Sequence, residues 1–146
     1  MILKSIGYTT GVYDMFHVGH LNLLRRAKFE CDYLIVGVTT DELCERVKGK
    51  KPIIPFAERM EIVKHIDFVD EALPQTSMDK MEAWNNLKFD KIFVGDDWRG
   101  SDKWNQLEKE FGEVGVEIAY FPYTRHTSST KLRQVVDRIT SADMAL

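Results

Sequence analysis

Tyr33-Leu-Ile-Val-Gly-Val38 is an apolar run with no polar interruption. A strand with one face in water alternates polar and apolar side chains, so a run without alternation fits a strand buried on both faces. The flanking segments alternate in period. Upstream, Ile2 to Thr10 reads as a strand, and Leu21 to Phe29 carries apolar residues at helical spacing. Downstream, Pro55 to Ile66 predicts a helix that tolerates proline near its start and buries Phe56, Met60, Val63 and Ile66. Phe68 to Leu73 predicts a short strand, Met78 to Leu87 a helix, Lys91 to Gly95 a strand, Asp102 to Phe111 a helix, and Val116 to Phe121 a strand. Ser128 is an N-cap for a last helix reaching Ile139. Val47 to Pro55, rich in lysine, glycine and proline, reads as a linker, and Ser141 to Leu146 as a tail. Strands alternating with helices predict a single α/β domain over residues 1–140, with a parallel sheet covered on both sides.

The 146 residues suit one domain, because two would leave cores too small to stand alone. Twenty basic against 23 acidic residues leave a net charge of −3, which argues against a nucleic-acid partner. No apolar stretch approaches the roughly 20 residues needed to span a bilayer, so no membrane is expected. Met1 is followed at once by Ile-Leu-Lys, without the pattern of a signal peptide. Cys31 and Cys44 have no companions that would build a disulfide framework or a zinc cluster, and reduced thiols fit a cytoplasmic protein.

In such a fold, ligands bind at the carboxyl ends of the strands, near the point where strand order reverses. Thr9-Thr-Gly-Val-Tyr-Asp-Met-Phe-His-Val-Gly-His20 follows the first strand and leads directly into a helix. A helix N-terminus favours anions through its free N–H groups and dipole. Gly19 and Gly11 allow close approach of a ligand to the backbone. The imidazoles of His17 and His20 can donate hydrogen bonds to phosphate oxygens and stabilise charge developing there. Two histidines three apart can also be half of a metal site or plain loop residues; no third ligand cluster lies nearby in sequence. Gly95-Asp-Asp-Trp98 follows another strand, and Ser128-Ser-Thr-Lys131 opens the last helix with hydroxyls.

Gly11-Val-Tyr-Asp14 with His17-Val-Gly-His20 resembles the signature of the nucleotidyltransferases that carry an HxGH motif. Phe68-Val-Asp-Glu71, Gly95-Asp-Asp-Trp98 and Ser128-Ser-Thr-Lys131 follow in the order found in the small cytidylyltransferases of the glycerol-3-phosphate type. Together they cover residues 6 to about 136. The resemblance implies a Rossmann-like three-layer sandwich with a mostly parallel five-stranded sheet flanked by helices. It also implies attack of a substrate phosphate on the α-phosphate of CTP, giving a CDP-linked product and pyrophosphate, with glycerol 3-phosphate as the first acceptor to consider. By that resemblance His17, His20, Lys50 and Arg59 are catalytic. CTP would be bound by Gly11, Val12, Tyr13, His17, Gly19, His20, Lys50, Asp96, Asp97, Thr124, Arg125, Ser128, Ser129 and Thr130. Lys48, Lys80 and Trp98 would touch the acceptor. Mg2+ would be held mainly through the nucleotide phosphates, and a homodimer would form near Phe68-Val69.

Two departures stand out. The family's phosphate-binding stretch usually begins Arg-Thr, whereas this chain reads Tyr123-Thr124-Arg125, so Arg125 is the candidate to deliver the guanidinium. Asp67 stands where an arginine commonly precedes the Tyr-Val-Asp-Glu segment, which reverses a charge. An adenylyltransferase on the same scaffold, and a nucleotide-binding regulatory module without turnover, are the alternative readings.

Overall fold

The structure, a computed structural model, describes residues 4–122 and 129–144. Five strands form one sheet: β1 (Ile6–Gly11), β2 (Tyr33–Thr39), β3 (Glu71–Gln75), β4 (Lys91–Gly95) and β5 (Glu117–Phe121). Their order across the sheet is β3-β2-β1-β4-β5, and every pair is parallel. The helices are α1 (Val18–Phe29), α2 (Asp41–Lys48), α3 (Phe56–Lys64), α4 (Lys80–Leu87), α5 (Asp102–Glu113) and α6 (Ser129–Met144). The expected Rossmann-like sandwich is therefore present.

β2 sits inside the sheet, between β1 and β3, and its side chains serve two cores in turn. Leu34, Val36 and Val38 pack with Leu24 and Ala27 of α1 and Val63 of α3. Ile35 points the other way, toward Tyr8, Phe89, Ile92 and the α5 residues Trp104, Leu107 and Phe111. This two-sided burial is the physical reason for the unbroken apolar run. Strand order reverses beside β1, since the chain moves from β1 outward through β2 to β3 and then crosses back to β4. The carboxyl ends of β1 and β4 consequently flank a crevice of the kind that takes ligands in such sheets.

Four expectations need correction. The strand predicted at Phe68 to Leu73 is shifted: β3 runs Glu71–Gln75, while Phe68 and Val69 pack into the core from the turn before it. β3 is an edge strand, which is why it can hold Pro74. The segment read as a linker from Val47 begins inside α2, a helix the apolar periodicity did not reveal. Thr40 caps it, its hydroxyl accepting from Leu43 N–H at 3.2 Å, and Gly49 ends it in the left-handed region at φ 79°. Part of the predicted tail is helical, because α6 continues to Met144. The first strand begins at Ile6, while the predicted residues Ile2 and Leu3 lie outside the described residues.

Candidate active site

The chain leaves β1 through Val12 to His17, and this loop turns sharply. Tyr13 and Met15 both sit at positive φ, 55° and 48°, a conformation that costs non-glycine residues and clusters at functional sites. Asp14 holds the turn in place. Its carboxylate is 7% exposed and accepts from the N–H groups of Ile53 and Ile54, both at 2.8 Å. Tyr13 turns its ring into the core between Phe16 and His20. A Cβ on Gly11 would stand 2.7 Å from that ring. Gly11 therefore makes room for the buried ring of Tyr13.

Beneath the loop lies Arg59, 1% exposed. Its Nη1 donates to the carbonyls of Val12 (2.6 Å) and Thr39 (2.8 Å), its Nε to that of Ile54 (2.8 Å), and its Nη2 to the Asp41 carboxylate (2.7 Å). The exits of β1 and β2, the start of α2 and the approach to α3 are joined by one guanidinium. Thr39 adds a second clip, its hydroxyl lying 3.1 Å from the Gly11 carbonyl oxygen and 2.7 Å from the Gln75 side-chain amide. Arg59 was expected to be catalytic; here its donors are engaged by the protein itself, which makes it a positioning residue.

The two histidines open α1 in a reciprocal cap. Gly19 N–H donates to His17 Nδ1 at 3.0 Å, and His17 N–H donates to His20 Nδ1 at 3.2 Å. Both Nδ1 atoms accept, so in each neutral ring the proton resides on Nε2. The rings stack with centroids 4.1 Å apart. Their two Nε2–H groups have different surroundings. His20 Nε2 lies 3.4 Å from the hydroxyl of Ser129, which itself donates to the Asp14 carbonyl at 2.6 Å. His17 Nε2 is shielded from solvent and has no partner among the described residues. Burial lowers the pKa of both rings, and the neighbouring His17 adds to the effect on His20, whose value falls to about 4. The pair is neutral near pH 7 and presents N–H donors at the positive end of a helix.

The remaining expected residues gather around this point or lie apart from it. Ser129 joins the first residues of α6 to the loop after β1, and Arg133 Nη1 ties α6 to the Lys51 carbonyl at 2.7 Å. Thr130 is exposed on the same helix turn. Asp96, Asp97 and Trp98 form an exposed 3-10 turn directly after β4, across the switch point from the histidines. Lys48 ends α2 instead of standing in a loop, and Lys50 is exposed just beyond it. Lys80 is 6% exposed, and its Nζ donates to the Thr10 hydroxyl at 2.8 Å. Burial, with Lys103 nearby, lowers the Lys80 pKa to about 8. Thr124, Arg125 and Ser128 lie outside the described residues. Asp14, Thr39 and Gln75 received no role from the sequence. Asp14 stood within the motif that was quoted, but nothing marked Thr39 or Gln75.

The comparisons with known proteins agree with this geometry. The sequence profile described as cytidylyltransferase-like matches residues 8–135. Glycerol-3-phosphate cytidylyltransferase of Bacillus spizizenii is 38% identical over 127 residues, which is 86% of this chain and 92% of the relative. The enzyme of that name from Staphylococcus aureus is 37% identical over 128 residues, 86% of this chain and 90% of the relative. Among solved structures, a lipopolysaccharide core biosynthesis protein from Thermoplasma volcanium superposes with a TM-score of 0.69 at 27% identity, covering 85% of this chain and 99% of that one.

Replacing Arg59 by Met strands three carbonyls and one carboxylate. Breaking such a buried pair costs about 3–5 kcal/mol, to be read as a lower urea midpoint at unchanged slope. An unchanged midpoint would mean the clamp is not structural. Protonation of His20 gives a second test. Its folded pKa of about 4 lies below the unfolded value near 6.5. The unfolded chain therefore binds the extra proton first as pH falls, and stability present above about pH 6.5 declines toward pH 4. Thermal melts from pH 7 to 5 are expected to show that decline, and a His20→Asn variant a shallower one; parallel curves would contradict it.

Proposed function

The chain belongs to the cytidylyltransferase-like family, and on that premise we propose that it transfers CMP from CTP to glycerol 3-phosphate, releasing pyrophosphate. A phosphate oxygen of the acceptor forms a new bond to the α-phosphorus, while the bond from that phosphorus to the bridging oxygen breaks and pyrophosphate leaves with the electron pair. Such a reaction asks the protein for positioning and for donors aimed at developing negative charge, with little covalent work. The observation that carries the reading is the solvent-shielded Nε2 of His17, which has no hydrogen-bond partner among the described residues. A buried donor without a partner is costly, and a phosphate oxygen is the partner it lacks.

His17 and His20 donate from Nε2 to oxygens of the α-phosphate, and the Nδ1 caps keep those protons where the oxygens need them. A triphosphate beside the rings also raises their pKa, so nucleotide binding draws protons onto the pair. Ser129 and Thr130, at the amino end of α6, bind outer phosphate oxygens through hydroxyls and backbone amides. Thr124, Arg125 and Ser128 are assigned to that subsite by the resemblance alone. Asp96 and Asp97 accept the ribose hydroxyls, Lys50 neutralises phosphate charge, and Lys48, Lys80 and Trp98 meet the acceptor. Gly11, Val12 and Gly19 contribute backbone. Mg2+, held mainly through the nucleotide phosphates, would offset their charge. No group of three histidine, cysteine or acidic side chains that could hold a metal is found among the described residues.

We also propose that the protein is a homodimer formed around Phe68 and the open edge at β3, which sedimentation tests. No helix among the described residues is long and apolar enough to cross a membrane.

A coupled pyrophosphate assay of the four nucleoside triphosphates against a panel of small phosphate esters tests the transfer reading. CTP with glycerol 3-phosphate is expected to be fastest; release with ATP alone, or with no combination, would overturn it. His17→Asn keeps an N-cap acceptor but removes the Nε2 donor. It is expected to lower kcat at least about 100-fold with the fold intact, the scale of losing one donor to a developing oxyanion. Wild-type turnover in that variant would remove His17 from catalysis.

A further inference from the structure

Residues 50–55, between α2 and α3, have no regular secondary structure, yet charged side chains from three other elements hold their backbone. Asp14, in the loop after β1, accepts from the N–H groups of Ile53 and Ile54, and Arg59 of α3 donates to the Ile54 carbonyl. The third hold comes from α6, where Arg133 Nη1 donates to the Lys51 carbonyl at 2.7 Å. Pro52 has no N–H to offer, so the Lys51 carbonyl is the anchor nearest to Lys50.

Lys50 is exposed and stands one residue before that anchor. On its other side Gly49 lies at φ 79°, and a Cβ there would meet nothing within 4 Å, so no packing fixes the chain at that point. The two neighbouring ammonium groups are used differently. Lys51 turns to Glu45 of α2, 3.8 Å away, whereas Lys50 has no ion pair among the described residues. A lysine that waits for a ligand on an unfixed backbone loses more freedom on binding than one on an ordered backbone.

The same contact bears on α6. Ser129 and Arg133 join this helix to the body, while no described residue of α6 belongs to either core, and Val135, Val136 and Ile139 are exposed. Polar ties therefore set its position. Arg133 makes its tie although its Nε is shielded from solvent with no partner among the described residues, an arrangement that costs free energy.

We propose that Arg133 is a positioning residue for cytidylyl transfer: by holding the Lys51 carbonyl it sets the backbone from which Lys50 reaches the triphosphate, so that the amino end of α6 and the Lys50 ammonium meet the nucleotide as one preorganised unit. This rests on the transfer reading and on the role given there to Lys50. It assigns the arginine a function carried by the backbone of the chain and not by contact with phosphate.

Two measurements on the full chain test this, and the first uses no nucleotide. Trypsin cleaves after lysine, and cleavage needs the chain to open locally. Arg133→Met is expected to be nicked after Lys48 and Lys50 at least about fivefold faster than wild type, the scale of one lost hydrogen bond. Cleavage at other sites stays unchanged. Arg133→Lys is expected to restore the protection, because one carbonyl needs a single donor and not a guanidinium fork. The second measurement is a double-mutant cycle in kcat/KM for CTP, with Mg2+ and glycerol 3-phosphate present. Lys50→Met and Arg133→Met are each expected to lower it about tenfold. The double variant is expected to fall no more than about twofold below Lys50→Met alone, since the arginine acts through the lysine. Additive losses mean that Arg133 contacts phosphate directly, and they overturn the positioning role while leaving transfer intact. Equal nicking of wild type and Arg133→Met overturns it as well, and so does a Lys50→Met variant with wild-type kinetics. If wild type releases no pyrophosphate with CTP and any phosphate ester, the transfer reading falls and the positioning role falls with it.

Discussion

The buried guanidinium of Arg59 is the constraint on which the site depends. Parallel strands end with carbonyls aimed toward the crevice where a ligand must bind, and those carbonyls need donors that do not occupy the crevice. Arg59 supplies them from below, engaging Val12, Thr39 and Ile54 together with the Asp41 carboxylate. Its charge is tolerable in the interior because every polar contact is short and one partner is anionic. The loop above it can then hold two residues at positive φ. Asp14 fixes the loop from the other side by capping the backbone of Ile53 and Ile54. The approach to α3 and the turn into α1 are therefore set by one pair of oppositely charged anchors.

That rigidity determines what the histidines can do. A histidine on a loose loop samples both tautomers and many orientations. Here each ring spends Nδ1 as a cap acceptor and leaves Nε2 as the donor. Serine, threonine and aspartate are the usual N-caps, but none of them carries a second nitrogen that can donate beyond the cap. Imidazole can do both, so the two residues that cap the helix are also free to serve the proposed transfer. Burial keeps the pair neutral, and in the proposed reaction a bound phosphate would raise the pKa of both rings.

The parts legible in the sequence were those with local causes. The β2 run announced two-sided burial, and the histidine motif announced the start of α1. The hydroxyl run of Ser129 and Thr130 marked the opening of α6. What was illegible depended on distant partners. Phe68 and Val69 looked like strand residues because they are apolar, yet they are buried by packing from a turn, and the pairing with β2 starts at Glu71. Helix α2 is short and charged on most of its surface, so its signal resided in Thr40 and Gly49 rather than in apolar spacing. The clamp at Arg59 was not legible, because the carbonyls it satisfies come from three separate segments. Tyr13 lay inside a functional motif, but its side chain serves the core.

Arg59 and Lys80 are both buried cations near the carboxyl ends of the strands, and the difference between them separates architecture from ligand binding. A guanidinium stays charged in any protein environment and presents a planar fork of donors that several fixed acceptors can fill. With four of its five N–H groups filled, Arg59 is committed to the protein. An ammonium is a compact charge whose pKa drops when it is desolvated, and Lys80, with one hydroxyl partner, has dropped to about 8. It remains mostly protonated near pH 7, yet it holds its proton less firmly than an exposed lysine does. An anion bound beside it would raise that pKa again and offset part of the cost of its burial. Among the described residues Arg59 has an anionic partner and Lys80 has a hydroxyl alone, so of the two buried cations Lys80 is the one whose burial an anion could still offset.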